Sequence, residues 1–165
     1  GSLTDNYNPR NKTLNLSDSV YNSTSVAAIG VAAHETGHAI QHAYGYGPLS
    51  FRTALFPLAS VGSQVSWILI VLGLIFGSTN ILIDIGILMF SLAVLFQLVT
   101  LPVEFNASAR ALQLLESEGF LYGDENRQAR KVLSAAAMTY VAAAATAILQ
   151  LLRLIILAGG RRDRD

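Results

Sequence analysis

Hydrophobic and polar residues fall along this chain in blocks of very different character. Residues 3–22 are mostly polar, with an alternating stretch at Lys12-Thr13-Leu14-Asn15-Leu16 that Pro9-Arg10-Asn11 separates from Leu3-Thr4-Asp5-Asn6-Tyr7. Alternation beside turn formers predicts a small β-hairpin or a short edge strand. Ser23-Thr24-Ser25 then offers hydroxyls for an N-cap, and Gly45 stands where a left-handed residue would close a helix. A helix is therefore predicted from about Ser25 to Tyr44. Leu55 to Phe76 carries no charge, Gly77-Ser78-Thr79-Asn80 interrupts, and Ile81 to Leu101 carries only Asp84. Each run has the length a helix needs to cross a bilayer, and so short a break makes the two an antiparallel hairpin. A soluble helix of this length would show a polar stripe, which neither run has. Asp84 lies next to the break, where interfacial water spares it the cost of burial.

Pro102 follows the second run and suits the first turn of a new helix or a kink. Glu104 to Glu118 is predicted as a helix ended by Gly119. Asp124 could cap a last helix that continues through Val132 to Leu157, alanine-rich in its first half. Small residues of this kind let helices approach closely in a membrane. The fold class expected is mainly α and integral to the membrane, with the small N-terminal β element in front. Residues 3–165 are expected to form a single domain containing the apolar hairpin 55–101. Gly1-Ser2 resembles a cloning scar and is left out of the fold argument.

Composition sharpens this picture. Hydrophobic residues make up 52% of the 165 and charged residues 13%, with a mean hydropathy of +0.45; soluble domains carry about 25% charge. The formal net charge is zero, so no global field favours nucleic acid, while the lipid bilayer is an expected partner. The absence of cysteine removes disulfides, thiolate metal sites and cysteine nucleophiles together.

The candidate chemistry sits in the first predicted helix. His34-Glu35-Thr36-Gly37-His38 fits the H-E-x-x-H pattern. Residues four apart lie on one helical face, so two imidazoles can address one ion, with Glu35 beside them as general base for a metal-activated water. Polar residues on an otherwise alanine-rich, apolar helix need a reason to be there, and a metal supplies one. A catalytic zinc takes three protein ligands and keeps a position open. His42 is a poor third ligand, because it lies about 12 Å along the axis from His34. Of the chain's three histidines none then remains, and Glu104, directly after an apolar run, is the best carboxylate. If both apolar runs cross, Glu104 returns to the side that holds the first helix. Glu116, Glu118 and Glu125 share that side but have the character of solvated or capping charges.

At this point the chain resembles a known family, the bacterial membrane-bound neutral zinc metallopeptidases of the YugP-like group. The matching stretches are Leu3-Thr4-Asp5 with Tyr7 and Pro9-Arg10, Val31-Ala32-Ala33-His34-Glu35 with Gly37-His38-Ala39-Ile40-Gln41, Pro102-Val103-Glu104-Phe105, Ala107-Ser108 with Arg110-Ala111, and Thr139-Tyr140-Val141-Ala142. The similarity runs from Leu3 to about Leu152. It implies Zn2+ held by His34, His38 and Glu104, with Glu35 as base, acting on a peptide or protein substrate. It also implies an N-terminal apolar helix that these residues do not contain. The family's pattern more often has aspartate at positions 8 and 106, where this chain has Asn8 and Asn106.

Other residues are candidates for supporting roles. Tyr140 could donate to the oxyanion of a tetrahedral intermediate. Ser108, one turn after Glu104, could orient that ligand or a histidine, with Asn106 beside it. Arg110 could pair with Glu104 or bind a substrate carboxylate, and the strand near Lys12–Leu16 could pair with an extended substrate. Arg52, Arg110, Arg127, Arg130 and Lys131 lie on the catalytic side, which the positive-inside rule places in the cytoplasm. The competing expectation is a non-catalytic membrane protein that keeps a structural metal.

Overall fold

The computed structural model describes residues 4–76 and 80–162. Two short antiparallel strands, β1 (Asn6–Asn8) and β2 (Thr13–Asn15), pair Tyr7 with Leu14. A single turn, α1 (Asp18–Tyr21), leads to α2 (Val26–Ala43), α3 (Gly47–Phe76), α4 (Asn80–Ser117) and α5 (Asp124–Arg162). The chain is thus mainly helical with one small sheet, as the hydrophobic pattern predicts.

Local chemistry sets the ends of α2. The Ser25 side chain accepts a hydrogen bond from the Ala28 N–H at 3.2 Å, satisfying one of the free donors of the first turn. At the other end Gly45 adopts φ +63°. There the Tyr46 N–H reaches the Gln41 carbonyl and the Gly45 N–H reaches His42, the Schellman pattern. Gly119 ends α4 in the same way, with Phe120 N–H on Leu115 and Gly119 N–H on Glu116.

Of the places open to Pro102, the structure puts it inside α4, where it begins no new helix. A helix broken at the edge of an apolar environment frees several backbone groups, whereas proline removes one hydrogen bond. Continuity is the cheaper solution. The expected break at 77–80 lies outside the described residues as far as Thr79, and α4 begins at Asn80.

The residues group into two compact units. Gly1–Ser50 with Leu101–Tyr140 form the first, and Phe51–Thr100 with Val141–Asp165 form the second. The first unit packs α2 against the ends of α4 and α5 that it contains. Ala33, Ala111, Leu112, Leu115, Leu121, Ala129 and Leu133 make its core. At Gly37 a Cβ would run into the Ala107 carbonyl of α4, so α2 and α4 meet backbone to backbone there. In the second unit Ile70, Phe90, Val94 and Leu154 form the core, and an added Cβ at Gly62 would stand 2.8 Å from the Met89 carbonyl.

Among the described residues three helices are long and apolar enough to cross a membrane, Gly47–Phe76, Ile81–Ser117 and Asp124–Gly160. Only 28%, 22% and 11% of their most apolar windows are buried inside the protein. Side chains such as Ile68, Ile75, Leu88 and Ile156 are exposed. Water would not tolerate so much continuous apolar surface, and hydrocarbon does.

Candidate metal centre

The close crossing at Gly37 brings one turn of α2 against one turn of α4. His34 and His38 stand on the α2 face, and Glu104 and Ser108 on the α4 face. His34 Nε2 lies 3.1 Å from Glu104 Oε2, and His38 Nε2 lies 3.5 Å from Glu104 Oε1. The two imidazole centroids are 4.8 Å apart and nearly perpendicular. Each ring is held from behind: His34 Nδ1 is 3.0 Å from Ser108 Oγ, and His38 Nδ1 is 3.0 Å from Gln41 Oε1. His38, Gln41 and Glu104 are buried.

This donor set fits a zinc ion. One ligand atom from each of His34, His38 and Glu104 lies within 4.8 Å of the others. Zinc bonds of about 2.0–2.2 Å at tetrahedral angles put ligand atoms about 3.3–3.6 Å apart. Two ring nitrogens facing one carboxylate also require a cation, proton or metal, between them. A ring N–H can supply that proton when no metal does. Burial pulls the His38 imidazole down, but the hydrogen bond and charge of Glu104, with help from Gln41 and Glu35, leave it above its ordinary value.

Glu35 is half-buried and lies next to both imidazoles. Burial pushes its carboxyl up, His38 and His34 pull it down, and the Tyr7 backbone N–H also favours the ionised form; the net shift is upward. A cavity of about 220 Å³ opens beside these groups, and its wall includes Glu35, Val31, Ala137 and Tyr140. Asp5 also lines it and is fixed by the Ser17 N–H at 2.7 Å and the Ser17 hydroxyl at 3.0 Å.

The remaining candidates take the following places. Arg110 does not pair with Glu104: its Nε donates to Asn106 Oδ1 at 2.8 Å, and its guanidinium lies 6.0 Å from the Tyr46 ring. The guanidinium is half-buried on the far side of a hydrogen-bonded relay. β1 touches the site through the Tyr7 N–H near Glu35, and the three residues of β2 are solvent-exposed. His42 stands apart from the donor set, with its Nδ1 2.8 Å from the Tyr7 hydroxyl. Sequence reasoning missed Gln41, whose importance depends on residues more than sixty positions away.

Two imidazoles and a carboxylate converging in a chain with three membrane-length apolar helices define a membrane protein with a site suited to a transition metal. The chain belongs to the family described as "Putative neutral zinc metallopeptidase", whose model matches residues 1–159. It is 49% identical over 165 residues to the "Putative membrane protease YugP" of Bacillus subtilis (strain 168), covering all of this chain and 73% of that protein. No solved structure matches it.

Proposed function

We propose that this chain is a zinc-dependent membrane endopeptidase of the glutamate-zincin kind, with His34, His38 and Glu104 as ligands and Glu35 as general base. The observation that carries this is the convergence of three ligand atoms within 4.8 Å at the edge of a cavity large enough for a substrate side chain. Zinc, when bound, supplies a Lewis acid that polarises the scissile carbonyl and makes a water reactive near neutral pH. Glu35 takes the proton of that water and delivers it to the leaving amine. A carboxylate made more basic by burial holds that proton more readily, while the neighbouring imidazoles oppose the shift by favouring the ionised form. The Tyr140 phenol, on the cavity wall, donates to the developing oxyanion. Val31, Leu133 and Ala137 give the same cavity an apolar side that limits water around the reacting groups.

Substrates are peptides or proteins, including membrane-associated ones, and the active site faces the cytoplasm. In the alternative the metal is structural, and a cavity beside the ligands has no use. Glu35→Gln separates the two. Zinc content should be unchanged while peptide cleavage falls by about 10²–10⁴-fold. Undiminished cleavage by that variant would remove Glu35 from the mechanism. Zinc-loaded wild-type protein that cleaves nothing would favour the structural role.

A further inference from the structure

We infer that Gln41 is a positioning residue that fixes the tautomer of His38, and that Asn106 and Arg110 determine which way its amide faces. This rests on the assignment of His34, His38 and Glu104 as metal ligands.

Gln41 has no exposed surface at all, so each of its polar atoms needs a partner. Its two amide ends are chemically opposite, and its neighbours decide which end is which. One end meets the Val103 carbonyl at 2.8 Å, an atom that only accepts. The same end meets the Asn106 side chain at 3.0 Å. The Asn106 atom there is also 2.8 Å from Arg110 Nε, and a guanidinium only donates. That Asn106 atom is therefore the oxygen. Two acceptors face this end of Gln41, so it is the NH2 group.

The other end is then Oε1, which only accepts. At 3.0 Å from it, His38 Nδ1 must carry a proton. A neutral imidazole protonated on Nδ1 has its lone pair on Nε2, the atom that faces Glu104. This is the tautomer a metal ligand needs. A flipped Gln41 would set its oxygen against the Val103 carbonyl and a donor against Nδ1. The relay Arg110–Asn106–Gln41–His38 thus passes a direction, from a group that cannot accept to a nitrogen that must be free to bind. His34 lacks such control, because the Ser108 hydroxyl beside its Nδ1 can donate or accept.

The test uses the full chain purified in detergent. In the zinc-loaded wild-type protein, 15N shifts of the His38 imidazole should report the proton on Nδ1. A proton on Nε2 overturns the inference whatever the variants do. Gln41→Met keeps the volume and removes the acceptor. It should lower Zn2+ affinity, measured by chelator competition, by about 10–100-fold and leave His38 in mixed tautomers. Asn106→Leu should weaken zinc in the same direction, and Asn106→Asp, which keeps the acceptor for both Gln41 and Arg110, should recover most of the loss. Thermal unfolding of the metal-free variants separates a loss of fold from a loss of positioning. Wild-type zinc affinity in a folded Gln41→Met variant would overturn the inference, as would an Asn106→Asp variant no better than Asn106→Leu. Protein that binds zinc in this Gln41-dependent way but cleaves no peptide leaves the positioning role standing and defeats only the peptidase. Protein that binds no zinc defeats both.

Discussion

His38 has polar partners on both ring nitrogens, Gln41 on one side and Glu104 on the other. In the metal-free protein this raises its imidazole above the ordinary value of 6.5. A raised folded value means that its contribution to stability is fully present below the unfolded pKa and is lost as pH rises through the folded one. Metal-free protein should therefore unfold at a lower temperature at about pH 9 than at about pH 6. Zinc should weaken that dependence, because the metal takes the place of the proton. For the same reason zinc uptake should release protons, and affinity should fall as pH drops below the raised value. Thermal melts with and without chelator check the first effect, and titrations in buffers of different ionisation enthalpy check the second. A melting temperature that rises with pH in the metal-free protein would contradict the assigned contacts. Glu104→Gln tests the other partner: it removes the charge the imidazoles share, and zinc affinity should fall by at least the roughly 10–100-fold expected for a supporting residue.

At the scale of elements, the site exists because α2 and α4 cross without side chains between them. Gly37 is the point of contact, and any Cβ there meets the Ala107 carbonyl. Gly37→Ala should cost about 1–3 kcal/mol, as overpacking does, and should also reduce zinc binding, because separating the helices carries Glu104 away from the two imidazoles. Unchanged stability and zinc content in that variant would show that the crossing is not what assembles the ligands. This dependence explains what could be read from the sequence. The two histidines and the α2 caps were legible because helical spacing, Ser25 and Gly45 act within one element. Glu104 was reached from topology and from the shortage of other ligands, since nothing local marks it as facing His34 seventy residues earlier. Gln41 and the true partner of Arg110 were not legible, because an amide's role is set by a Val103 carbonyl and an Asn106 oxygen brought in from another helix. The continuity of α4 through Pro102 was hidden for a different reason. Proline's local penalty is visible in a sequence, and the larger cost of an exposed backbone in lipid belongs to the environment.

For the whole molecule, the balance of charge decides how the chain faces its membrane. Between Thr53 and Val103 the only ionisable residue is Asp84, while Arg52, Arg110, Arg127, Arg130 and Lys131 lie outside that stretch and are expected on the side of the candidate site. Cationic residues near membrane-spanning helices stay in the cytoplasm, so the proposed zinc centre should face inward. The chain has no cysteine, so a single introduced thiol reports one position without background. Gln113 is exposed and belongs to the same unit as the ligands. In intact cells expressing Gln113→Cys, a membrane-impermeant maleimide should leave the protein unlabelled, and labelling should appear once the cells are broken. Labelling in intact cells would reverse the orientation. The five cations would then lie against the positive-inside rule, and the proposed peptidase would have to work on substrates outside the cell membrane.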